Sequence, residues 1–291
     1  MLFRGSGVAI VTPFNESGEI DLLGLEKLIE FQLENQTDAI IINGTTGESS
    51  TLSKEERLAT IKHTVKVVNK RVPVIAGTGS NNTLESAAFS KEVAELGVDG
   101  LLVVTPYYNR SSKRGLYEHF KVIAEAVSIP VILYNVPGRT SVTIPVETIV
   151  ELAKIENVVG LKDATGDLAY TTSVHRLTPD HFAIYSGNDD LIVPVLSVGG
   201  VGVISVAANI IPLDMHMLVS NYLAGKTTEA AAIQAKYQPL IDALFIETNP
   251  IPIKAALEMM DLPAGGLRLP LFEAEEATKA VLRERMKEVG L

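Results

Sequence analysis

A lysine inside an apolar segment is the first residue of this chain that could do chemistry. Lys162 follows the run VVGL in the stretch NVVGLKDATGD at 157–167. Burial of an unpaired ammonium group is costly, and a buried lysine usually gives up its proton. In one interpretation the strand ends at Leu161 and Lys162 is exposed in a loop. In the other, the amine is desolvated and neutral, so that it can attack a carbonyl group and form a Schiff base.

Three more side chains at the ends of apolar runs could assist that reaction. Tyr134 ends the run VILY and could donate and accept the protons that imine formation requires. Thr45 of GTTG (44–47) could pass protons between hydroxyl groups, and the backbone N–H groups of this turn suit a carboxylate. Arg139, after NVPG, could bind a carboxylate through two hydrogen bonds. In the alternative interpretations the Tyr134 hydroxyl points into water, GTTG is an ordinary tight turn, and Arg139 lies on the surface.

The sequence contains no pattern that is specific for a metal ion. The five histidines form neither HExxH nor HxH, which disfavours a zinc-dependent aldolase. The pairs Asp163/Asp167 and Asp189/Asp190 could bind magnesium, but solvated loop positions and helix N-caps are the commoner roles. The glycines of VGGVGVIS (198–205) resemble a phosphate-binding loop, but they come before a predicted strand. They would lie at the end of the barrel that binds no ligand. We therefore predict no metal ion.

The composition is that of a soluble enzyme. Of 291 residues 46% are hydrophobic, the formal net charge is −10, and cysteine is absent. An excess of acidic residues disfavours nucleic acid and anionic membranes as partners. No apolar run reaches the roughly 18 residues of a membrane span, and the N-terminus lacks the pattern of a signal peptide. We therefore expect a cytoplasmic protein without disulfides.

Short apolar runs predict the strands that must position the candidate side chains. Their ranges are 7–14, 38–46, 72–79, 100–108, 129–137, 158–166, 182–189 and 200–209. Almost continuous apolarity is typical of parallel strands that are covered on both faces. Helical patterns alternate with these runs. One begins at the capping box Ser53/Glu56, and the next has Thr83 and Ser86 near its start.

Eight strand–helix units predict an α/β fold, a closed (β/α)8 TIM barrel, with an open doubly wound sheet as the alternative. No GxGxxG motif follows the first strand, which disfavours the open sheet. After Gly225 only helical patterns remain. We predict a catalytic barrel at 1–225 and a C-terminal helical domain at 226–291 that packs on it. Lys162 would then stand at the end of strand six, where barrels place their catalytic groups, and this favours the Schiff-base interpretation.

Six motifs together resemble the dihydrodipicolinate synthase/N-acetylneuraminate lyase family of class I pyruvate-dependent barrels. They are GTTGES, TPYYN, YNVPGRT, GLKDAT, YSGNDD and GVISV. They follow in the family's order over essentially the whole chain. The likeness is greatest to the branch that condenses pyruvate with L-aspartate 4-semialdehyde in lysine and diaminopimelate biosynthesis. It implies a lyase without an external cofactor, which forms a covalent imine with pyruvate.

The resemblance implies four catalytic residues. Lys162 matches the Schiff-base lysine and Tyr134 the general acid/base. Thr45 matches the threonine of a proton relay. Tyr108 matches the relay tyrosine that reaches into a neighbouring subunit, which implies a homo-oligomer. A homotetramer built from two tight dimers is the common assembly of the family, and a dimer is the alternative.

The resemblance also implies four substrate-binding residues. Thr46 matches the threonine that holds the carboxylate of pyruvate, and Arg139 the arginine that receives the carboxylate of the semialdehyde. Gly187 stands where the family keeps the wall of the site open for substrate. Ile204 lines the pyruvate pocket through its backbone.

A further set of residues matches the site at which lysine binds between subunits of lysine-inhibited relatives. Its members here are Ser49, Ser50, Lys54, Arg57, Asn81, Glu85 and Tyr107. Lys54 and Arg57 replace the histidines of strongly inhibited relatives and stay charged at physiological pH. Because two such cations would repel the ammonium groups of lysine, we predict weak or absent feedback inhibition.

Two other functions remain open from the sequence. A lyase for N-acetylneuraminate or a 2-keto-3-deoxy sugar acid would share Lys162 and Tyr134. Arg139, followed by Thr140, and the pair Tyr107–Tyr108 favour the synthase branch instead. A non-catalytic sensor could keep the barrel and bind a small keto acid, but every catalytic position of the family is filled. A turnover assay separates these functions.

Overall fold

The eight strands form a closed barrel in which each neighbouring pair is parallel. The computed structural model describes all residues from Met1 to Leu291. The strands are β1 (Gly5–Ala9), β2 (Ala39–Ile42), β3 (Val74–Gly77), β4 (Gly100–Val104), β5 (Val131–Asn135), β6 (Val158–Asp163), β7 (Ala183–Ser186) and β8 (Gly202–Ser205). They are neighbours in sequence order, and β8 pairs with β1. The predicted (β/α)8 barrel is confirmed, and the open sheet is wrong.

Helices lie between the strands and continue after β8. They are α1 (Leu22–Glu34), α2 (Lys54–Val68), α3 (Thr83–Ala94), α4 (Lys113–Glu125), α5 (Pro137–Thr140), α6 (Val146–Leu152), α7 (Leu168–Leu177), α8 (Ile192–Ser197), α9 (Pro212–Leu223), α10 (Thr227–Ala243), α11 (Ile251–Met259) and α12 (Glu276–Val289). Short 3-10 helices occur at Ser49–Thr51, Asp189–Leu191 and Ala207–Asn209. None of the helices has both the length and the apolarity needed to cross a bilayer. The C-terminal helical part is α10 to α12, and the exact division at residue 225 stays a prediction.

Side chains alternate along each strand and so build two apolar layers. Val8, Ile40 and Val103 belong to the outer layer, which packs against the helices. Ala9, Ile41 and other residues of the alternate positions fill the barrel interior. Since both faces of the sheet are buried, the strands have no solvent-facing polar positions.

The predicted ends of several elements need correction. The first apolar run was expected to be strand over 7–14, yet β1 covers only Gly5–Ala9, and the apolar residues that follow are buried outside the strand. Helix α2 has the predicted capping box, with Glu56 N donating to Ser53 Oγ at 3.2 Å. Helix α3 is capped by Asn82, whose Oδ1 accepts from Glu85 N at 3.3 Å. The two residues predicted near this cap, Thr83 and Ser86, lie within the helix.

A buried ion pair joins the C-terminal helices to the barrel. Lys254 on α11 donates to Glu48 Oε1 at 2.7 Å, and the two side chains are 2% and 1% exposed. Lys254 also donates to the carbonyl of Gly266 at 2.7 Å. Glu48 follows the GTTG turn after β2, so α11 is tied directly to the segment that contains Thr45 and Thr46.

Candidate active site

Lys162 lies inside the barrel near the end of β6 and is 5% exposed. It is paired with Tyr134 on β5 and Tyr185 on β7, which both belong to the inner layer, so its side chain also points inward. Its Nζ lies 4.4 Å from the centroid of the Tyr134 ring and has no hydrogen-bond acceptor within the chain. The interpretation of Lys162 as an exposed loop residue is therefore wrong. Its amine is free to react with a molecule that enters the barrel mouth.

The two tyrosines that flank Lys162 have different roles. The Tyr185 hydroxyl donates to the carbonyl of Phe3 at 2.8 Å, and its ring stacks on Phe3 with centroids 4.4 Å apart. Burial raises the pKa of Tyr185 further above its ordinary value. The hydroxyl of Tyr134 makes no such bond within the chain. Of the two, Tyr134 is the one that can exchange a proton beside Lys162.

The GTTG turn presents two threonines at the end of β2. The turn is held by Thr12, whose hydroxyl donates to the carbonyl of Gly47 at 2.7 Å. Thr45 is half-buried and lines a cavity of about 440 Å³ at the barrel mouth. Thr46 is buried, and its Oγ1 accepts a hydrogen bond from Asn249 Nδ2 at 3.0 Å. The two threonines are therefore at the catalytic end of the barrel, as predicted, but in different surroundings.

Arg139 lies in the one-turn helix α5 directly after β5. Its guanidinium lines the same cavity as Thr45 and donates to the carbonyl of Asn249 at 2.6 Å. One hydrogen bond leaves most of the five guanidinium N–H donors for another partner. Arg139 is exposed at the mouth rather than inside the barrel, which suits contact with an incoming anion.

Gly187 follows β7, and Ile204 lies on the neighbouring strand β8. A Cβ atom on Gly187 would lie 2.7 Å from the Cβ of Ala164, so a glycine is needed for the close approach of two loops. The close approach of Ala164 requires a glycine at position 187, and a role of Gly187 in keeping the wall open for substrate stays a prediction. Ile204 is completely buried on β8, and its side chain belongs to the barrel interior.

Tyr108 does not lie in the site of its own chain. It is 93% exposed, and its backbone has a φ of 67°, which is uncommon for a bulky residue. Asn109 N donates to the carbonyl of Tyr107 at 2.9 Å, which closes a tight three-residue turn around Tyr108. The Asn109 side chain also donates to the carbonyl of Asn81 at 3.0 Å. The turn thus directs the side chain of Tyr108 into solvent.

Most of the predicted lysine-binding residues line the 440 Å³ cavity, but one does not. The lining includes Ser49, Ser50, Arg57, Asn81, Glu85 and Tyr107. Lys54 lies outside it and pairs with Glu92 at 2.6 Å. Arg57 is half-buried with its guanidinium 3.9 Å from the centroid of the Phe89 ring, and burial lowers its pKa. Of the two cations predicted to repel lysine, only Arg57 faces the cavity.

The burial of Asp163 and Asp189 and the contacts of Asn249 were not predicted from the sequence. Asp163 and Asp189 were expected in solvated loops or caps, yet both are buried and burial raises their pKa values. Asp189 Oδ2 accepts from the N–H groups of Val206 and Ala207 at 2.9 and 2.8 Å, which fixes the end of β8. Asn249, in the C-terminal part, contacts two predicted site residues. Only Asp167 has the predicted cap role, accepting from Ala169 N at 2.9 Å.

No group of three or more His, Cys, Asp or Glu side chains is arranged to share a metal ion. The catalytic end of the barrel instead has an amine, a phenol, two threonine hydroxyls and a guanidinium; Lys162 and Tyr134 lie side by side, and Thr45 and Arg139 line one cavity. An amine beside a phenol can form and hydrolyse imines, and the guanidinium can orient an anionic reactant.

Comparison with known proteins identifies the family. The model of the dihydrodipicolinate synthetase family matches residues 2–289. A 4-hydroxy-tetrahydrodipicolinate synthase of Clostridium perfringens (strain SM101) is 50% identical over 290 residues, which cover 100% of this chain and 99% of the relative.

Solved structures agree with this assignment. The dihydrodipicolinate synthase of Thermotoga maritima has a TM-score of 0.98 and 44% identity, over 100% of this chain and 99% of that one. The chloride-inhibited enzyme of Acinetobacter baumannii in complex with pyruvate has a TM-score of 0.97 and 46% identity, over 99% of both chains. The chain described here belongs to the dihydrodipicolinate synthetase family.

Proposed function

We propose that this protein is a 4-hydroxy-tetrahydrodipicolinate synthase, which condenses pyruvate with L-aspartate 4-semialdehyde. The observation that carries the proposal is the placement of Lys162, whose amine has no partner within the chain and lies against the ring of Tyr134. Relatives about 50% identical over their full length have the same named activity. The alternatives of a sugar-acid lyase and of a non-catalytic sensor have no comparable support.

The chemistry begins with imine formation. The amine of Lys162 attacks the keto carbon of pyruvate, and the carbinolamine loses water to form an iminium ion. Loss of a proton from the methyl group then leaves an enamine, whose carbon attacks the aldehyde of the second substrate. The amino group of that substrate displaces Lys162 from the former keto carbon, which closes the ring and releases the lysine. Tyr134 supplies and removes the protons in these steps, with Thr45 as the next hydroxyl of the relay.

The two substrates bind at different ends of the site. Thr46, at the buried end, binds the carboxylate of pyruvate, and Gly187 and Ile204 line the pyruvate pocket. Arg139, at the exposed mouth, receives the carboxylate of the semialdehyde. This arrangement orders the two anionic substrates along the barrel axis. The imine requires no external cofactor.

The proposal is tested by trapping the imine with borohydride in the presence of pyruvate, followed by mass spectrometry of peptides. We expect one reduced pyruvyl group on Lys162 and loss of activity. Lys162→Arg should abolish the label, and the matched control Lys154→Arg, which changes an exposed lysine, should keep it. A label elsewhere contradicts the mechanism. If Lys162 is labelled by pyruvate but untreated enzyme supplied with pyruvate consumes no L-aspartate 4-semialdehyde, the second substrate is contradicted.

Tyr108 supports a second part of the proposal, that the active assembly is a homo-oligomer. Tyr108 is 93% exposed and has a φ of 67°, and its hydroxyl makes no hydrogen bond within the chain. We infer that its hydroxyl enters the site of a neighbouring subunit within a tight dimer and completes the relay of Thr45 and Tyr134. A pair of such dimers would form the tetramer.

Mixed dimers test this assembly. Subunits with Lys162→Ala and subunits with Tyr108→Phe are each expected to be inactive, with turnover lowered by roughly 10²-fold or more. Mixing them should restore about a quarter of wild-type activity, since half of the dimers are mixed and each has one complete site. The control mixture of Lys162→Ala with Tyr134→Phe has no complete site and should stay inactive. Equal behaviour of the two mixtures would show that Tyr108 does not act across an interface.

A further inference from the structure

Asn249 connects the C-terminal helices to both ends of the active site. It is buried in the connection between α10 and α11. Its side-chain Nδ2 donates to Thr46 Oγ1 at 3.0 Å, and its main-chain carbonyl accepts from Arg139 at 2.6 Å. One residue therefore contacts the two side chains to which the proposed function assigns the carboxylates of the two substrates.

The direction of the first hydrogen bond constrains the hydroxyl of Thr46. An amide nitrogen can only donate, and a threonine hydroxyl has one proton and two acceptor lone pairs. Because Asn249 Nδ2 occupies an acceptor position of Thr46 Oγ1, the threonine proton has to point to another acceptor. A carboxylate is the strongest acceptor that the proposed reaction brings to this side chain.

The buried ion pair keeps this contact in place. Glu48 lies two residues after Thr46, and Lys254 lies five residues after Asn249. Their 2.7 Å bond therefore ties together the same two segments that Asn249 and Thr46 join. The Asn249 Oδ1 atom is buried without a partner, a cost that is usually tolerated where a polar group has a function.

We propose that Asn249 is a positioning residue that turns the hydroxyl of Thr46 toward the carboxylate of pyruvate. Its main-chain carbonyl holds the guanidinium of Arg139 at the mouth. The inference rests on the proposed function, and it makes the C-terminal helical part a component of the active site. The side chain acts on pyruvate and the main chain acts on the semialdehyde, so a side-chain substitution separates the two effects.

The test compares Asn249→Ala and Asn249→Asp with the wild type by steady-state kinetics. We expect the KM for pyruvate to rise about tenfold, as loss of a positioned hydrogen bond of roughly 1.4 kcal/mol implies. The KM for the semialdehyde should stay within about twofold, because Arg139 keeps its main-chain partner. In Asn249→Asp the carboxylate also accepts the proton of Thr46, so the effect should be larger than in Asn249→Ala.

A double-mutant cycle with Thr46→Val provides the structural control. If Asn249 acts through Thr46, adding Asn249→Ala to Thr46→Val should raise the pyruvate KM no further. Additive effects, or an equal rise of both KM values, would overturn the inference. Since Asn249→Asp keeps the size of the side chain, the same cycle with Asn249→Asp reports on this bond even if Asn249→Ala does not fold.

Borohydride trapping distinguishes this inference from the proposed function. The pyruvate concentration that half-labels Lys162 depends on the binding of pyruvate and on imine formation, but not on the semialdehyde. No labelling of the wild type overturns the proposed function. Labelling of the wild type and of Asn249→Ala at the same pyruvate concentration overturns the role of Asn249 and leaves the proposed function standing.

Discussion

Replacement of Lys254 by methionine should destabilise the protein strongly. Lys254 and Glu48 form an ion pair of 2.7 Å whose side chains are 2% and 1% exposed. Burial lowers the pKa of Lys254, and the negative charge of Glu48 opposes this shift. Methionine has a similar length but leaves the carboxylate of Glu48 buried and without its cation. Removal of one partner from a buried pair typically costs about 3–5 kcal/mol.

The chain offers a matched control in Lys54→Met. Lys54 and Glu92 form a pair of nearly the same length, 2.6 Å, but their side chains are 56% and 41% exposed. Water screens such a pair, which usually contributes about 0–1 kcal/mol. Because the two pairs differ mainly in burial, the difference between the variants measures the cost of the stranded buried charge.

The assay is chemical unfolding in guanidinium at a fixed protein concentration, because assembly would make the midpoint depend on concentration. We expect Lys254→Met to lower the free energy of unfolding by about 3–5 kcal/mol. The double variant Glu48→Gln/Lys254→Met should recover much of that loss, since no charge is left unpaired. If Lys254→Met and Lys54→Met have the same small effect, below about 1 kcal/mol, the reasoning from burial is refuted.

Three further predictions concern binding and pH. Arg139→Ala should keep pyruvate trapping but lower kcat/KM for the semialdehyde by about 10- to 100-fold, as loss of a charged hydrogen bond implies; an unchanged dependence on semialdehyde concentration would remove Arg139 from this role. Burial lowers the pKa of His119 from 6.5 to about 4, so its contribution to stability is complete above pH 6.5 and is lost as the pH falls to about 4. We expect the free energy of unfolding to fall by about 3 kcal/mol over this window and His119→Gln to flatten the curve; equal slopes for both proteins would contradict the assignment. L-lysine should inhibit weakly or not at all, because the cation of Arg57 faces the cavity, and an activity titration at limiting and saturating pyruvate measures this. Strong cooperative inhibition below millimolar concentrations would show that Arg57 does not repel the ligand.

The regular part of this fold could be predicted from the sequence because its signals are local. Each strand is a short apolar run followed by a helical pattern, and burial on both faces of the sheet makes those runs conspicuous. The position of Lys162 at the catalytic end of the barrel also follows from local order, since a lysine directly after such a run stands at the carboxyl end of its strand. Its inward direction follows from the pairing of β6 with β5 and β7. The motifs around Tyr134 and Thr45 then indicate the same end of the barrel.

Contacts between distant parts of the chain could be decided only by the tertiary structure. Asn249 is 203 residues from Thr46, and Lys254 is 206 residues from Glu48, so no periodicity or spacing connects them. Likewise, Lys54 was expected in the lysine-binding cavity, but the packing of α2 against α3 pairs it with Glu92 instead. The sequence alone determined which elements form and at which ends of the strands the reactive side chains lie. The closed barrel and the docked helices decided which side chains meet, because those contacts depend on how the elements pack in three dimensions.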